Sequence, residues 1–291
     1  MSALSYALVT PARNEAENLR RLAESLRAQR ACPAAWVIVD NGSTDETRAV
    51  AAELAAGEPW IHVVDSPGEA IPTRGGPVAK AFTAGLEALP LTPDVAVKLD
   101  ADVSLDPEYF AELLLEFERD DRLGIAGGTC YELVAGVWTA RHVTGDRVRG
   151  ASRAYRWACL QDVLPLENRA GWDGIDELRA ASRGWRTRSF AHLRFYHHRT
   201  EATRDESRRR RLFETGRSNW YSGYRPSYVL FRALFKARKE PVALSLFAGY
   251  VVAAIRREPR CEDASAREYL RSQQALRRLP LRAREALGRR A

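Results

Sequence analysis

Asp100 and Asp102 flank a single alanine directly after the apolar run Val95-Ala96-Val97-Lys98-Leu99. Residues two apart in extended backbone share a face, so both carboxylates can aim into one crevice at the end of that run. Hard divalent cations take oxygen ligands of this kind. Mn2+ or Mg2+ held there would neutralise a diphosphate. The plain alternative is an acidic turn that caps the next helix. A second polar cluster, Asp40-Asn41-Gly42-Ser43-Thr44-Asp45, follows Trp36-Val37-Ile38-Val39. Gly42 permits a tight turn, Ser43 or Thr44 can cap a helix, and the side chains at 40 and 41 can read a nucleobase edge or a ribose. A third cluster, Arg13-Asn14-Glu15, follows Tyr6-Ala7-Leu8-Val9-Thr10. Glu15, Asp40 and Asp100 gathered at one sheet edge would repel one another unless a cation or polar ligand lies between them.

The elements that must hold these clusters follow from periodicity. Four apolar runs, 6–10, 36–39, 61–64 and 95–99, alternate with helical patterns at 15–30, 44–56, 78–89 and from Pro107 onward. Such alternation predicts a mostly parallel α/β sheet covered on both faces, with ligands at the carboxyl ends of the strands. Beyond Gly128 the pattern turns mixed. Val137-Trp138-Thr139 is extended, helices are expected over 153–163 and 172–183, and the run 193–198 closes on His197 and His198. Alternation sends those two imidazoles to opposite faces, so only one can face the crevice. From residue 201 the reading is helical, over 201–221, 227–239, 242–257 and 264–279. The chain therefore divides into an α/β domain at 1–200 and a basic, helical extension at 201–291.

Composition narrows the function. The net charge of +7 is unevenly spread: residues 1–198 hold 22 Lys/Arg and 28 Asp/Glu (22 − 28 = −6), and residues 199–291 hold 23 and 10 (23 − 10 = +13). An acidic first part argues against a broad nucleic-acid groove, although a non-catalytic protein binding nucleic acid through its tail is a reading from another class. In the tail, basic residues alternate with aromatics in Trp220–Tyr228 and Phe231–Phe235. Peripheral contact with a membrane and packed helices with arginines in water are both open, and compatible. The four cysteines form no C-x-x-C pair. With no basic-then-apolar leader pattern at the start and no apolar run of about 20 residues, a cytoplasmic protein is expected, or one peripheral on the inner face of the membrane. Neither G-x-G-x-x-G after the first strand nor G-x-x-x-x-G-K-[ST] occurs, which sets a dinucleotide-dependent oxidoreductase and a nucleotidyltransferase behind the leading reading.

That reading comes from the order of the motifs. Pro11-x-x-Asn14-Glu15, Val39-Asp40-Asn41-Gly42-Ser43-Thr44-Asp45 and Leu99-Asp100-Ala101-Asp102 resemble the motif series of family-2 glycosyltransferases with the GT-A fold, over roughly residues 5–200. The resemblance implies a nucleotide-sugar donor, a saccharide or lipid-linked acceptor, inverting transfer and a divalent cation. It implies that Pro11, Arg13, Glu15 and Asn41 line the base and ribose pocket beside Asp40, that Asp100 lies near the ribose, and that Asp102 holds the metal. His197, after the late strand, is the expected further metal ligand. Asn41 departs from the family's usual Asp, though its carbonyl can still accept from a base N–H. Arg74 and Lys80 are candidates for the diphosphate or for a solvated loop and helix face. The resemblance points to Gly171-Trp172-Asp173-Gly174-Ile175-Asp176-Glu177-Leu178 for the base that deprotonates the acceptor and puts Asp176 in that role. The alternative is that Asp173 and Asp176 cap and solvate a helix N-terminus.

Overall fold

The computed structural model describes residues 2–67, 76–141, 147–198 and 208–275. Arg74, residues 201–207 of one expected helix and residues 276–279 of another lie outside the described residues. The chain packs as two compact units, 1–200 and 201–291.

In the first unit, β1 (Tyr6–Ala12), β2 (Ala35–Asp40), β3 (Ile61–Asp65) and β4 (Val95–Leu99) are parallel neighbours in the order β3-β2-β1-β4. They are joined by α1 (Ala16–Arg27), α2 (Thr47–Gly57) and α3 (Gly76–Glu87). β1, β2 and β4 read as unbroken apolar runs because both faces are covered. Leu8, Trp36 and Ile38 enter one core with Leu19, Leu22 and Leu26 of α1, while Val9, Val37 and Val39 enter the other with Ala81 and Phe82 of α3. α3 lies so close to the sheet that a Cβ on Gly85 would stand 2.2 Å from Val9 Cγ1. Only glycine leaves room for the strand there.

After β4 the sheet becomes mixed. β5 (Val103–Leu105) is followed by α4 (Tyr109–Arg119), β6 (Leu123–Val134), β7 (Val137–Arg141), β8 (Ser152–Arg156), α5 (Trp157–Val163), α6 (Trp172–Ser182) and β9 (Arg186–His197). The order continues β4-β8-β6-β9-β5, with β8 antiparallel to both β4 and β6, and β7 hairpinned on β6. The helix expected over 153–163 begins only at Trp157. Residues 152–156 are a strand, with Arg153 beside Lys98 and Tyr155 beside Ala96 in register with β4. Sheet pairing and a buried guanidinium decided otherwise.

The second unit comprises α7 (Arg208–Tyr221), α8 (Pro226–Ala237), a 3-10 turn at Pro241–Ala243, α9 (Leu244–Ile255) and α10 (Ala264–Gln273). α7 and α9 cross backbone to backbone: a Cβ on Gly216 would stand 2.0 Å from Leu246 O, and one on Gly249 2.0 Å from Phe213 O. No helix among the described residues is long and apolar enough to cross a membrane.

Candidate active site

Parallel pairing brings the carboxyl ends of β1, β2 and β4 level, with Ala12 beside Asp40 and Val9 beside Lys98. The loops that leave these ends are stitched together. Asn14 adopts a left-handed backbone, φ 56°, which asparagine tolerates better than most residues. Its Oδ1 accepts from Thr44 N at 2.8 Å, and its own N–H donates to Ser43 Oγ at 3.1 Å. Glu15 N donates to Thr47 Oγ1 at 2.7 Å, and the Glu15 carboxylate accepts from Asn18 Nδ2 at 2.6 Å. Pro11 and Glu15 are half-buried at this edge, and Arg13 is exposed.

Asp40 and Asn41 are both buried where β2 ends. Asn41 N donates to Ala12 O at 2.8 Å, which carries the β1–β2 pairing one residue past the strand. Asp40 Oδ2 accepts from Ser43 N at 3.4 Å, whereas its buried Oδ1 has no partner among the described residues. A buried acceptor without a donor is costly, so this oxygen is suited to a ligand N–H or O–H.

Asp100 lies past β4 and pairs with Lys98, which is buried inside that strand and also donates to Gly150 O at 2.7 Å. Burial lifts the Asp100 pKa above the ordinary carboxylate value; Lys98 pulls it back and the Asp102 charge lifts it further. Lys98 therefore supplies a countercharge to Asp100 at this edge. An ionisable residue in the middle of an otherwise apolar strand was the available signal for it.

Asp102 and His197 meet across the edge. His197 Nε2 stands 3.3 Å from Asp102 Oδ1, and His198 N donates to Asp102 O at 2.9 Å. His198 turns elsewhere: its Nε2 lies 2.8 Å from Ser104 Oγ and its ring packs edge-on against Trp138. Burial opposes the His197 imidazolium, but the hydrogen bond and charge of Asp102, with Asp100 and Glu132, outweigh it and raise the pKa. Burial and Arg21 lower that of His198. Ligands of a six-coordinate ion with bonds of about 2.1 Å sit about 3 Å apart when adjacent. The Asp102–His197 separation fits such a pair, and an oxygen plus an imidazole nitrogen suits Mn2+. Glu132, beside His197 in the β6–β9 register, forms with it and Cys130 a group whose donor atoms lie within 4.8 Å of one another. The Glu132 carboxylate is engaged by Arg141 at 2.6 Å and Arg149 at 3.6 Å.

Asp176 is 1% exposed, and its oxygens accept from Arg153 Nη2 at 2.8 Å, from Arg153 Nε at 3.2 Å and from Tyr155 OH. Arg153, itself fully buried, also reaches Glu177 at 3.1 Å, Val148 O at 2.6 Å and Asp173 O at 2.8 Å. The carboxylate that the resemblance put in the base role is thus enclosed by Arg153 and Tyr155 and not presented to solvent. Asp173, one turn earlier, is half-buried, and its side chain has no hydrogen-bond partner among the described residues. It lies beside Gly150, where an added Cβ would stand 3.2 Å from Asp173 Oδ2, and Gly150 O is the carbonyl that Lys98 holds. Asp173 is thus the carboxylate of α6 on the Asp100 side. Lys80 lies on α3 and lines a cavity of about 280 Å³ with Pro165 and Asn168.

Residues 7–149 match the model described as glycosyl transferase family 2. This part of the chain belongs to that family. Among curated proteins the chain is similar to the polyprenol monophosphomannose synthase of Mycolicibacterium smegmatis, 36% identical over 110 residues, which is 37% of this chain and 38% of the relative. It is also similar to the 4,4'-diaponeurosporenoate glycosyltransferase of Staphylococcus haemolyticus, 27% identical over 131 residues, 45% of this chain and 33% of the relative. The chain thus spans little more than a third of the length of these relatives. Among solved structures it resembles the mannosyltransferase PcManGT from Pyrobaculum calidifontis in complex with GDP-Man and Mn2+, with a TM-score of 0.57 and 14% identity over 98% of this chain and 80% of the other. It also resembles S. aureus TarS 1-349 in complex with UDP-GlcNAc, with a TM-score of 0.55 and 16% identity over 75% of this chain and 66% of the other. At such identities the likeness is one of fold, and the GT-A architecture implied by the motifs is the one observed.

Proposed function

We propose that this family-2 chain transfers a glycosyl unit from a nucleotide-sugar donor to a hydroxyl acceptor, with inversion, at the edge formed by β1, β2 and β4. The observation that carries the reading is the Asp102–His197 pair, 3.3 Å apart beside Asp100. Asp102 and His197 would hold a divalent cation, which supplies charge neutralisation of the donor diphosphate and of the nucleotide as it leaves.

The base and ribose fall to the stitched loops. Asp40 Oδ1 and the Asn41 carbonyl accept from base or ribose donors, Pro11 and Glu15 form the half-buried wall, and exposed Arg13 faces donor phosphate or ribose. Lys98 fixes the Asp100 carboxylate for the ribose side. Asp173 accepts the acceptor hydroxyl proton as that oxygen bonds to the anomeric carbon and the bond from that carbon to the diphosphate breaks. A half-buried carboxylate without a hydrogen-bond partner is free to take that proton. A single displacement from the face opposite the leaving group inverts the anomeric centre. The acceptor class is a saccharide or a lipid-linked hydroxyl, a lipid-linked one being supported by the name of the polyprenol relative.

The test is a thermal-shift series with GDP, UDP and their sugars, with and without Mn2+. A ligand that binds only the folded chain raises its Tm. A Mn2+-dependent rise with one nucleotide, lost in Asp102→Ala, is expected. Equal shifts with and without metal, or in the variant, refute the cation site.

A further inference from the structure

The second unit carries an apolar surface that its packing does not account for. α8 buries Val229 and Ala233, four residues apart, which defines its inner side. At 100° per residue, Phe231, Leu234 and Phe235 centre on the opposite side. They are 51%, 48% and 46% exposed. Three large apolar side chains at i, i+3 and i+4 on the outer face of a short helix form a continuous stripe, not scattered surface residues.

The stripe has a basic border. Residues 226–239 contain Arg232, Lys236, Arg238 and Lys239 and no acidic residue. Arg238 stacks over Phe235, 5.5 Å from its ring centroid, so a cation closes the carboxyl-terminal end of the stripe. Arg208 of α7 is paired with Glu240 and adds no net charge to this border. Lys236, toward the inner side, stands below the ordinary lysine value, first through desolvation and then because Arg232 and Arg208 crowd it, with Glu240 acting in the opposite sense. The nearest acid along the chain, Glu240, is occupied by Arg208 at 2.6 Å. Positive charge thus accumulates around the apolar stripe without acidic relief from α8 itself.

We propose that this face of α8 seats on an anionic bilayer, with Phe231, Leu234 and Phe235 entering the interface and Arg232, Arg238 and Lys239 at the headgroups. An apolar strip alone would suit a second copy of the chain equally well. The surrounding cations repel such a copy and attract an anionic leaflet. The helix has 12 residues and no membrane-spanning helix occurs among the described residues, so the contact lies in the interface plane.

Co-sedimentation of the full chain with phosphatidylcholine vesicles, with and without phosphatidylglycerol, tests this without any transfer reaction. Binding at least tenfold tighter to the anionic vesicles is expected, nearly abolished at 1 M salt, where screening acts over about 3 Å. Each basic residue near an anionic leaflet is worth about fivefold, so Arg232→Gln with Arg238→Gln should weaken binding about 25-fold. Phe231→Ser, Leu234→Ser and Phe235→Ser together should abolish it and leave the Mn2+-nucleotide thermal shift unchanged. Should that triple variant fold poorly, Phe235→Trp serves instead, with quenching of the new indole by brominated anionic lipid expected. Equal binding to neutral vesicles, no binding to either, or no quenching would overturn the proposal. So would self-association at micromolar concentration that the triple variant removes, since the face would then belong to a second copy.

Discussion

Arg153 lies between two carboxylates, and that charge count makes a sharp prediction about Asp176. With both Asp176 and Glu177 ionised, the buried cluster holds one positive and two negative charges, and it becomes neutral when one proton is added. Burial accordingly pushes Asp176 up to about 7 from its ordinary 3.8, despite the pull of Arg153, and Glu177 is raised as well. In Asp176→Asn the proton is replaced by an amide, Arg153 keeps Glu177, and what is lost is the quality of the bonds to Arg153 and Tyr155. That costs about 1 kcal/mol, the net worth of one hydrogen bond. Adding Glu177→Gln strands the guanidinium, and the double variant should lose about 3–5 kcal/mol, well beyond the sum of the single changes. The pH dependence has a definite sign. The folded pKa is raised, so between about 4 and 7 the folded chain keeps a proton that the unfolded chain has released. This contribution is complete below that window and is lost as pH rises through it. The amide introduced by Asp176→Asn cannot titrate, so the wild type should lose stability relative to the variant from pH 5 to pH 8. Urea denaturation midpoints at both pH values measure this, read with the m-value to confirm two-state unfolding. A loss of 3 kcal/mol from Asp176→Asn alone at pH 7, or additive single changes, would refute the shared-proton cluster. Turnover separates the two aspartates of α6: Asp173→Asn should lower kcat by 10² to 10⁴, the range for general base catalysis, whereas Asp176→Asn should stay within about tenfold.

His197→Ala should remove most of the Mn2+-dependent rise in nucleotide-bound Tm, and His198→Ala should leave it in place, since only His197 faces Asp102. Asn14→Ala loses both the clamp to Thr44 and a residue suited to φ 56°, and should cost about 1–2 kcal/mol in urea denaturation. Nucleotide affinity should fall with it. Gly249→Ala places a methyl 2.0 Å from Phe213 O, and should destabilise the second unit by about 1–3 kcal/mol. Proteolysis within α7 to α10 would report this, with the Mn2+-nucleotide shift unaffected.

The first four strands were legible because burial on both faces leaves runs such as Trp36-Val37-Ile38-Val39 with no other assignment. The polar clusters at their ends were legible for a related reason: in a parallel sheet the carboxyl ends of neighbouring strands must share an edge. What escaped depended on partners distant in sequence. Lys98 reads as an ordinary interruption until Asp100 and Gly150 close around it. Arg153 reads as surface charge in a helix, yet it is a strand residue held by Asp176 and Glu177 over twenty positions downstream. That same enclosure keeps Asp176 buried. Helical spacing puts Asp173, Asp176 and Glu177 on one side of α6, but only packing shows that the first is at the edge and the other two are beneath it.

The stitching of the β1–α1 and β2–α2 loops has a calorimetric consequence. Asn14, Ser43, Thr44, Glu15 and Thr47 bond to one another through the protein's own groups, so a nucleotide would meet walls whose backbone those bonds hold in place. Loop ordering therefore adds little to the entropic cost of docking. The heat-capacity change of nucleotide binding should then be small and set by the base surface covered, without the large negative value of coupled folding. In Asn14→Ala, where the loops lose their clamp, that change should become more negative, and the loss of affinity should be mainly entropic.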